Sequence, residues 1–298
     1  MSAPVQTAVA TARALGLDVR DPVVLRDRSN LLVHLRPAPV VARVATATAL
    51  VRAQGEGIER ELAVAGALAA AGAPVVAPSP LLPPGPHRRD GFTLSFWEWV
   101  EPRPGRPDAR AAGAGLRACH EALAAAPIDA PLVEWGALRE AEELVAGLGD
   151  GGDALAPADL ELLRETGARE VARATSLDLP LQPIHGDAHL RNVLTGAGGP
   201  LWIDWEDSFL GPRAWDLACF YATLPPFDTQ DPAAAGQAYR GYGEPLHADV
   251  LRALVGARRF QMLAWGAAWA CGGDRGEREW FASRMAALRE RNATSEKR

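Results

Sequence analysis

The stretch HGDAHLRNVLTGAGGPLWIDWE, residues 185–206, decides how the rest of this chain is interpreted. It carries a carboxylate at Asp187, a carboxamide at Asn192 and a second carboxylate at Asp204, twelve residues beyond Asn192. Phosphoryl transfer asks for little covalent chemistry from a protein: it needs an acceptor hydroxyl held in line and Mg²⁺ to neutralise phosphate charge. A positioning carboxylate followed by two oxygen ligands for a metal suits that reaction.

The order and spacing of these residues resemble a known pattern. In protein kinases the catalytic Asp and a metal-binding Asn are five residues apart, and a later Asp in D-F-G binds metal. Asp187 and Asn192 have the same spacing, and Ile203–Asp204 takes the later position. With His185–Gly186–Asp187 in place of H-R-D, the chain resembles the aminoglycoside phosphotransferase and choline kinase superfamily. Two further segments resemble that family, GPRAWDLACF at 211–220 and RACHEAL at 117–123.

The resemblance implies an α+β, protein-kinase-like fold with two lobes, the active site between them, and a role for each motif residue. Asp187 is expected to orient the acceptor hydroxyl and to take its proton late, since an ordinary carboxylate is a poor base toward an alcohol. Asn192 and Asp204 are expected to bind Mg²⁺, with phosphates and waters as the remaining ligands. His185 and Asp216 are expected to brace the catalytic loop.

The first hundred residues are expected to bind the nucleotide. The family uses a strand Lys that pairs with a helix Glu and contacts the phosphates, but the only lysine here is Lys297. Arg43, in the strand-like run VVARVA, is the available cation, and a guanidinium can hold phosphate oxygens through two parallel hydrogen bonds. Its expected partner is Glu61, because Glu61, Ala65 and Leu68 recur at helical spacing on one face.

Weaker signals concern the rest of the nucleotide site. Ser29 and Asn30 lie where a phosphate-covering loop would be, although that loop lacks the G-x-G-x-x-G glycines. Backbone groups near Trp97, Glu98 and Trp99 are implied to hydrogen-bond the nucleobase, by resemblance to a kinase hinge. The cofactors expected from the resemblance are Mg²⁺ and ATP as phosphoryl donor, with GTP left open.

Local patterns divide the chain into an N-terminal nucleotide-binding lobe, residues 1–100, and a C-terminal helical lobe, residues 101–298. The boundary is EPRPGRPD at 101–108, where three prolines and a glycine interrupt regular structure. Alternating apolar residues predict strands at 23–26, 31–36, 40–45 and 92–100, and a helical pattern covers 49–71. Helices are predicted near 108–126, 137–148, 157–175, 213–223, 247–271 and 275–291, with strand-like pieces at 181–189 and 200–205.

Composition narrows the expected partners to a small hydroxylated acceptor. The net charge of −6, without a basic block, argues against nucleic acid. No apolar run approaches the roughly 18 residues of a membrane span, and the first residues lack a signal-peptide pattern, so no membrane partner and a cytoplasmic location are expected. An acidic run between Glu134 and Asp153 would attract a cationic acceptor, or is simply a solvated helix face.

Two other functions fit parts of the sequence. Arg43 in place of lysine fits a kinase-like protein that binds nucleotide with little transfer and serves as a regulator or scaffold. His185 and Asp187, with the distant His247, imitate the ligands of a non-haem iron oxygenase. By analogy those enzymes need an all-β barrel, whereas helical patterns dominate residues 105–291. Metal preference separates these functions, since the kinase requires Mg²⁺ with ATP and the oxygenase binds Fe²⁺ without nucleotide.

Overall fold

The computed structural model of the protein describes residues 1–27, 30–46, 56–149, 155–225, 227, 230–272 and 275–295. The chain folds into two compact units. Unit 1 contains Met1–Leu132 and Arg191–Ser208, and unit 2 contains Val133–Leu190 and Phe209–Arg298. The chain therefore enters unit 2, returns to unit 1 for eighteen residues and leaves it again. A functional division into lobes at residue 100 stays a prediction.

Unit 1 contains an antiparallel five-stranded sheet with strand order β1-β2-β3-β5-β4. The alternation of β3 decides which side chains enter the core. Val40, Ala42 and Val44 are fully buried in a core cluster with residues of helix α1 (Ala3–Ala14). Arg43 belongs to the opposite face, because successive strand residues point to opposite sides. The strands are β1 (Val19–Asp27), β2 (Asn30–Pro37), β3 (Val40–Ala45), β4 (His87–Arg89) and β5 (Phe92–Glu98).

Three helices and a hairpin complete the described part of unit 1. The helices are α1 (Ala3–Ala14), α2 (Glu56–Ala70) and α3 (Ala109–Ala125), and the hairpin is β7 (Val193–Gly196) with β8 (Gly199–Trp202). Asp108 caps α3 by accepting the N–H of Ala111 at 3.0 Å, so this helix begins where its sequence predicts. The fully buried Trp202 donates its indole N–H to the carbonyl oxygen of Ala112 at 3.0 Å and ties the hairpin to α3.

Unit 2 is mainly helical, and α8 is its central helix. α8 packs against α4, α5, α6 and α9, and its buried alanines, including Ala257 and Ala264, allow these neighbours to approach closely. A two-stranded antiparallel sheet pairs β6 (Gln182–Ile184) with β9 (Phe209–Gly211). The helices are α4 (Gly136–Gly147), α5 (Pro157–Thr175), α6 (Arg213–Ala222), α7 (Pro232–Tyr242), α8 (Ala248–Cys271) and α9 (Arg275–Ser295).

The two helices that the sequence patterns missed are α1 and α7. Both helices are short and rich in alanine. α1 also contains β-branched residues of low helix propensity, and the contacts that stabilise it come from its packing on the sheet. The predicted helix at 49–71 is described only from residue 56, and its earlier residues lie outside the described chain. No helix in the described ranges combines the length and apolarity needed to cross a membrane.

Candidate active site

The loop after β6 is held by a buried carboxylate. Asp216, in the first turn of α6, is fully buried and accepts two backbone hydrogen bonds. Its Oδ2 accepts the N–H of His185 at 2.8 Å, and its Oδ1 accepts the N–H of Gly186 at 2.9 Å. Gly186 has a φ of 85°, which a side chain would disfavour. The two oxygens of one carboxylate therefore fix a turn that the backbone would not otherwise prefer.

His185 and Trp215 complete this support of the loop. His185 is fully buried, and its Nδ1 accepts the N–H of Asp187 at 3.2 Å. The indole N–H of Trp215 donates to the carbonyl oxygen of Gly186 at 2.9 Å. These hydrogen bonds of His185 and Trp215 are made to backbone groups of the loop and not to the Asp187 carboxylate. His185 and Asp216 thus contact the backbone of this loop, and their bracing role stays a prediction.

The Asp187 carboxylate is contacted by a cation and a histidine. Its Oδ1 accepts a hydrogen bond from Nη2 of Arg258, and its Oδ2 lies 3.3 Å from Nε2 of His189. Burial alone would raise the pKa of Asp187, but the attraction of His189 and Arg258 outweighs it and holds the pKa well below its ordinary value. Asp187 is therefore a carboxylate throughout the physiological pH range, with 19% of its side chain exposed.

Sequence reasoning missed Arg258. This residue lies on α8, 71 positions beyond Asp187, and is only 6% exposed. Its Nη1 contacts the side-chain oxygen of Gln261 on the next turn of the same helix. Arg258 is one of three arginines in an alanine-rich helix, and no local motif marks it as the partner of Asp187.

In unit 1, Arg43 contacts three carboxylates. Its Nη1 contacts Glu61, as the helical spacing of α2 predicts, and its Nη2 lies 2.8 Å from Oδ1 of Asp204 and 2.9 Å from Oε1 of Glu206. Burial would lower the pKa of Arg43, but Glu206 and Asp204 more than reverse this and raise it. The contacts with Asp204 and Glu206 were not predicted. A guanidinium carries its five donors on three nitrogens in one plane and can contact several carboxylates, whereas the three donors of a lysine ammonium lie on a single atom.

Glu206 also anchors the start of β2. Its Oε1 accepts a hydrogen bond from Nδ2 of Asn30 at 3.3 Å, and its backbone oxygen accepts one from Arg60 at 2.9 Å. Asn30, predicted as a phosphate-side contact, therefore contacts a carboxylate in this structure, while Ser29 lies outside the described residues. The only sequence signal for Glu206 is its position two residues beyond Asp204.

The hairpin brings Asn192 and Asp204 to one end of β7 and β8. Val193 pairs with Trp202, and the N–H of Ile203 donates to the carbonyl oxygen of Asn192 at 3.0 Å. Asn192 is buried, whereas the Asp204 side chain is 28% exposed. Carboxamide and carboxylate oxygens are hard ligands, and protein-bound Mg²⁺ commonly uses one or two carboxylates plus phosphates and waters. The donor set fits a metal ion that is shared with nucleotide phosphates.

A metal site made only of protein side chains is not found among the residues that the structure describes: no three His, Cys, Asp or Glu side chains form a group able to hold an ion. His247, proposed with His185 and Asp187 as an iron ligand, is exposed and caps α8 by accepting the N–H of Asp249. The oxygenase hypothesis also required an all-β barrel, and the fold is a small sheet with a mainly helical unit instead. That hypothesis is wrong.

Unit 1 contains a cavity of about 390 Å³, within the size range of small-molecule sites. Much of its wall is apolar, with Leu32, Val41 and Leu194 among its residues, and Arg43 and Asp204 supply charge. A flat apolar group on a ligand would find complementary surface here. The carboxylates around Arg43 leave the charged region net negative, so an anionic group would need a cation beside it. Other lining residues are Asn30, Glu61, Val76, Trp97, Glu98, Trp99 and Ile203.

The segment predicted to bind the base lines this cavity, but part of its backbone is already used. The N–H of Glu98 donates to the carbonyl oxygen of Ala77, and the N–H of Trp99 to that of Pro39, both at 3.0 Å. The indole of Trp97 donates to Ser95, and Trp99 stacks on His34 with ring centroids 3.9 Å apart. Any base bound by this segment must therefore use groups other than the N–H groups of Glu98 and Trp99.

Comparison with known proteins places this architecture in a family. The Phosphotransferase enzyme family (APH) matches residues 17–287 of the chain. No curated protein is similar enough in sequence to count as a relative. Among solved structures, amicoumacin kinase hAmiN, in complex with AMP-PNP and Ca²⁺, superimposes with a TM-score of 0.72 at 15% identity, over 95% of this chain and 92% of that one.

Two further solved structures share the fold. Choline kinase LicA from Streptococcus pneumoniae gives a TM-score of 0.66 at 15% identity, covering 96% of this chain and 97% of that one. A choline/ethanolamine kinase family protein from Mesorhizobium loti gives 0.65 at 18% identity, with 95% and 91% covered. These identities are low, so the likeness establishes the protein-kinase-like fold, and the family match adds the chemistry. The chain belongs to the phosphotransferase enzyme family, as the spacing of Asp187, Asn192 and Asp204 predicted.

Proposed function

We propose that this protein is a small-molecule kinase that transfers the γ-phosphoryl group of ATP, with Mg²⁺, to a hydroxyl group of its acceptor. The observation that carries the proposal is the cavity of unit 1, which joins apolar walls to a charged region containing Arg43 and Asp204. A nucleoside triphosphate with bound Mg²⁺ has the matching parts: a flat base for the apolar walls, and phosphates whose charge the metal neutralises beside the carboxylates. ATP is proposed as the donor.

Asn192 and Asp204 are the residues that would hold Mg²⁺, which when bound neutralises negative charge on the phosphates. A bound nucleotide would draw some of the guanidinium N–H groups of Arg43 away from Glu206 or Asp204. Arg43 would hold phosphate oxygens with those N–H groups. Glu61 would keep the guanidinium on the cavity side of β3, because both residues are buried and in contact. Each of these roles is a proposal that the family match supports.

Asp187 would orient the acceptor hydroxyl for attack on the γ-phosphorus. Its pKa is held well below the ordinary value by His189 and Arg258 against the effect of burial, so it is a weak base. A weak base contributes mainly by positioning. The proton moves to it only as the new P–O bond forms and the bond between the γ-phosphorus and ADP breaks. His185 and Asp216 would keep the loop that carries Asp187 in place through the hydrogen bonds to its backbone.

The acceptor is proposed to be a hydroxylated small molecule such as an aminoglycoside, an amino alcohol or a sugar. The names of the similar structures, which include amicoumacin kinase, choline kinase and a spectinomycin phosphotransferase, span that range. The acidic run gives a cationic acceptor limited support, because Glu134, Glu142 and Glu143 are exposed to solvent and Asp150 and Asp153 lie outside the described residues.

A second candidate is nucleotide binding with little transfer. It is favoured by one observation, the engagement of Arg43 with three carboxylates, which compete with phosphate for its donors. Against it, Asp187 is present in addition to Asn192 and Asp204, and a protein that only binds nucleotide has no chemical need for a carboxylate that orients an acceptor. The two candidates differ in turnover and agree in binding.

The test is a phosphotransfer screen with Mg·ATP against aminoglycosides, amino alcohols, sugars and nucleosides. Asp187→Asn, which keeps the side-chain shape, is run beside it, and Asp178→Asn, at an exposed position of unit 2, serves as the matched control. We expect one acceptor class to be phosphorylated by the wild type and the control but not by Asp187→Asn. Binding of Mg·ATP without turnover of any acceptor favours the second candidate, and failure to bind Mg·ATP contradicts both.

A further inference from the structure

The contact between Arg258 and Asp187 has a physical consequence for the reaction. A buried guanidinium is unfavourable unless a carboxylate and further hydrogen bonds compensate for its lost hydration. Arg258 is 6% exposed, and its Nη2 contacts Oδ1 of Asp187. The pair is therefore a built feature of the unit and not a surface contact.

The guanidinium of Arg258 is itself held in one orientation. Its Nη1 contacts Gln261, one turn further along α8, while Nη2 contacts Asp187. The planar fork of an arginine cannot turn freely when both terminal nitrogens are engaged. α8 is packed on α4, α5, α6 and α9, so the helix provides a rigid base for this side chain. The position of the Asp187 carboxylate thus depends on α8 as well as on its own loop.

We propose that Arg258 is a positioning residue for phosphoryl transfer, which fixes the carboxylate of Asp187 so that the acceptor hydroxyl meets an oxygen held in one place. This inference rests on the proposed function of Asp187. Arg258 acts through Asp187 and is not itself proposed to touch substrate. The proposal predicts an effect on kcat, because orientation of Asp187 matters in the transition state, while binding of ATP to unit 1 is left unchanged.

The charge of Arg258 gives a second, independent readout. Asp187 is faced by His185 and His189 from its own loop, by Arg258 from α8, and by Cys219 and Asp216 from α6. Against burial, His189 and Arg258 lower the pKa of Asp187, and transfer requires the ionised form. Transfer is therefore lost as the pH falls and Asp187 becomes protonated. Removing the guanidinium raises this pKa, so the acidic limb of the rate profile moves to higher pH.

The experiment compares Arg258→Gln, which removes the charge, with Arg258→Lys, which keeps the charge but loses the fork. With the acceptor found in the screen, we expect Arg258→Gln to lower kcat by about 100-fold and Arg258→Lys by about 10-fold. The acidic limb should move to higher pH in Arg258→Gln and stay in place in Arg258→Lys. Arg252→Gln, on the same helix with a side chain 64% exposed, is the control and should leave kcat and the limb unchanged.

Two results would overturn the inference: a kcat for Arg258→Gln near that of the wild type, or an effect confined to the KM of the acceptor. If Arg258→Gln does not fold, as judged by circular dichroism, the kcat of Arg258→Lys decides. If the wild type transfers no phosphate, the proposed function has failed separately. A double-mutant cycle of Asp187→Asn and Arg258→Gln in denaturant unfolding then tests the pair, and additive effects contradict the coupling.

Discussion

In each unit, the hydrogen-bonding capacity of buried charged side chains is met by specific contacts. Asp216 has no exposure to solvent and accepts two backbone N–H groups, while Arg43 contacts three carboxylates. Such groups are stable in the interior only when their hydrogen-bonding capacity is met. Replacing one of them with a neutral side chain therefore leaves its former partners buried and incompletely bonded.

Asp216→Asn tests the support of the catalytic loop. An asparagine offers one oxygen acceptor and one NH₂ donor, so the N–H of either His185 or Gly186 would face a donor instead of an acceptor. We expect the free energy of unfolding to fall by about 2 kcal/mol, measured by urea denaturation. Phosphotransfer should fall with it, while Mg·ATP binding is retained. Asp178→Asn, at an exposed site, should change neither, and an unchanged stability of Asp216→Asn would contradict this account.

Arg43 shows how a single residue can depart from a family pattern and still fit its environment. The usual lysine carries a compact charge with three donors, whereas the guanidinium offers five donors in one plane. Here that plane reaches Glu61 on α2 and also Asp204 and Glu206, which follow the β7–β8 hairpin. The arginine thus joins the sheet, the helix and the hairpin end of unit 1 in one buried cluster.

Among the elements, the packing of α5 on α8 helps to fix the position of α8, the helix that carries Arg258. Two glycines allow this close approach. A Cβ added to Gly167 of α5 would lie 2.5 Å from the ring of Phe260 on α8, and one added to Gly256 of α8 would collide with the carboxylate of Glu170 on α5. Contacts this short are not found in real proteins. A side chain at Gly167 would therefore push the helices apart, whereas one at Gly256 would require the Glu170 carboxylate to move.

Gly167→Ala is expected to destabilise unit 2 although alanine favours helices. Overpacking against Phe260 should lower the free energy of unfolding by about 1 to 3 kcal/mol. The matched control is Gly66→Ala in α2, where an added Cβ has no described atom within 4 Å. That change should stabilise the protein by about 0.5 to 1 kcal/mol. Chemical denaturation of both variants measures the difference, and stabilisation by Gly167→Ala would show that the helices separate easily.

In the whole molecule, the proposed steps of the reaction are assigned to different units. The cavity with Arg43 and Asp204 belongs to unit 1, and Asp187 with its supporting residues belongs to unit 2. Binding of nucleotide and transfer of phosphate should therefore respond to different mutations. This expectation concerns the residues within each unit and requires no assumption about how the units are arranged.

Asp204→Asn and Asp187→Asn test whether nucleotide binding and phosphoryl transfer depend on different residues. Asp204→Asn removes a proposed metal ligand, so it should weaken the binding of Mg·ATP and abolish its dependence on Mg²⁺. Asp187→Asn should retain binding but lose transfer. A ligand at about 100 times its Kd stabilises the folded state by about 2.7 kcal/mol, so thermal shifts with and without Mg²⁺ can detect the difference. Equal loss of binding in both variants would contradict the assignment of the nucleotide to unit 1.

Local sequence patterns determined much of the fold. The alternation in VVARVA placed Arg43 on the opposite face of β3 from the core, and the helical spacing in α2 brought Glu61 to it. Asp108 predicted the start of α3 through its capping bond. The spacing of Asp187, Asn192 and Asp204 predicted the family, which the match over residues 17–287 confirms. The roles of these residues stay predictions.

Only the tertiary structure revealed Arg258 as the partner of Asp187 and Glu206 as a partner of Arg43. These pairs are separated by 71 and 163 residues, and neither follows a repeating pattern. Periodicity and capping depend on neighbours within a few residues, so a sequence can determine which residues form a helix and which face they occupy. Which buried charges meet depends on strand register and on the packing of helices distant in sequence, and that is decided when the whole core assembles.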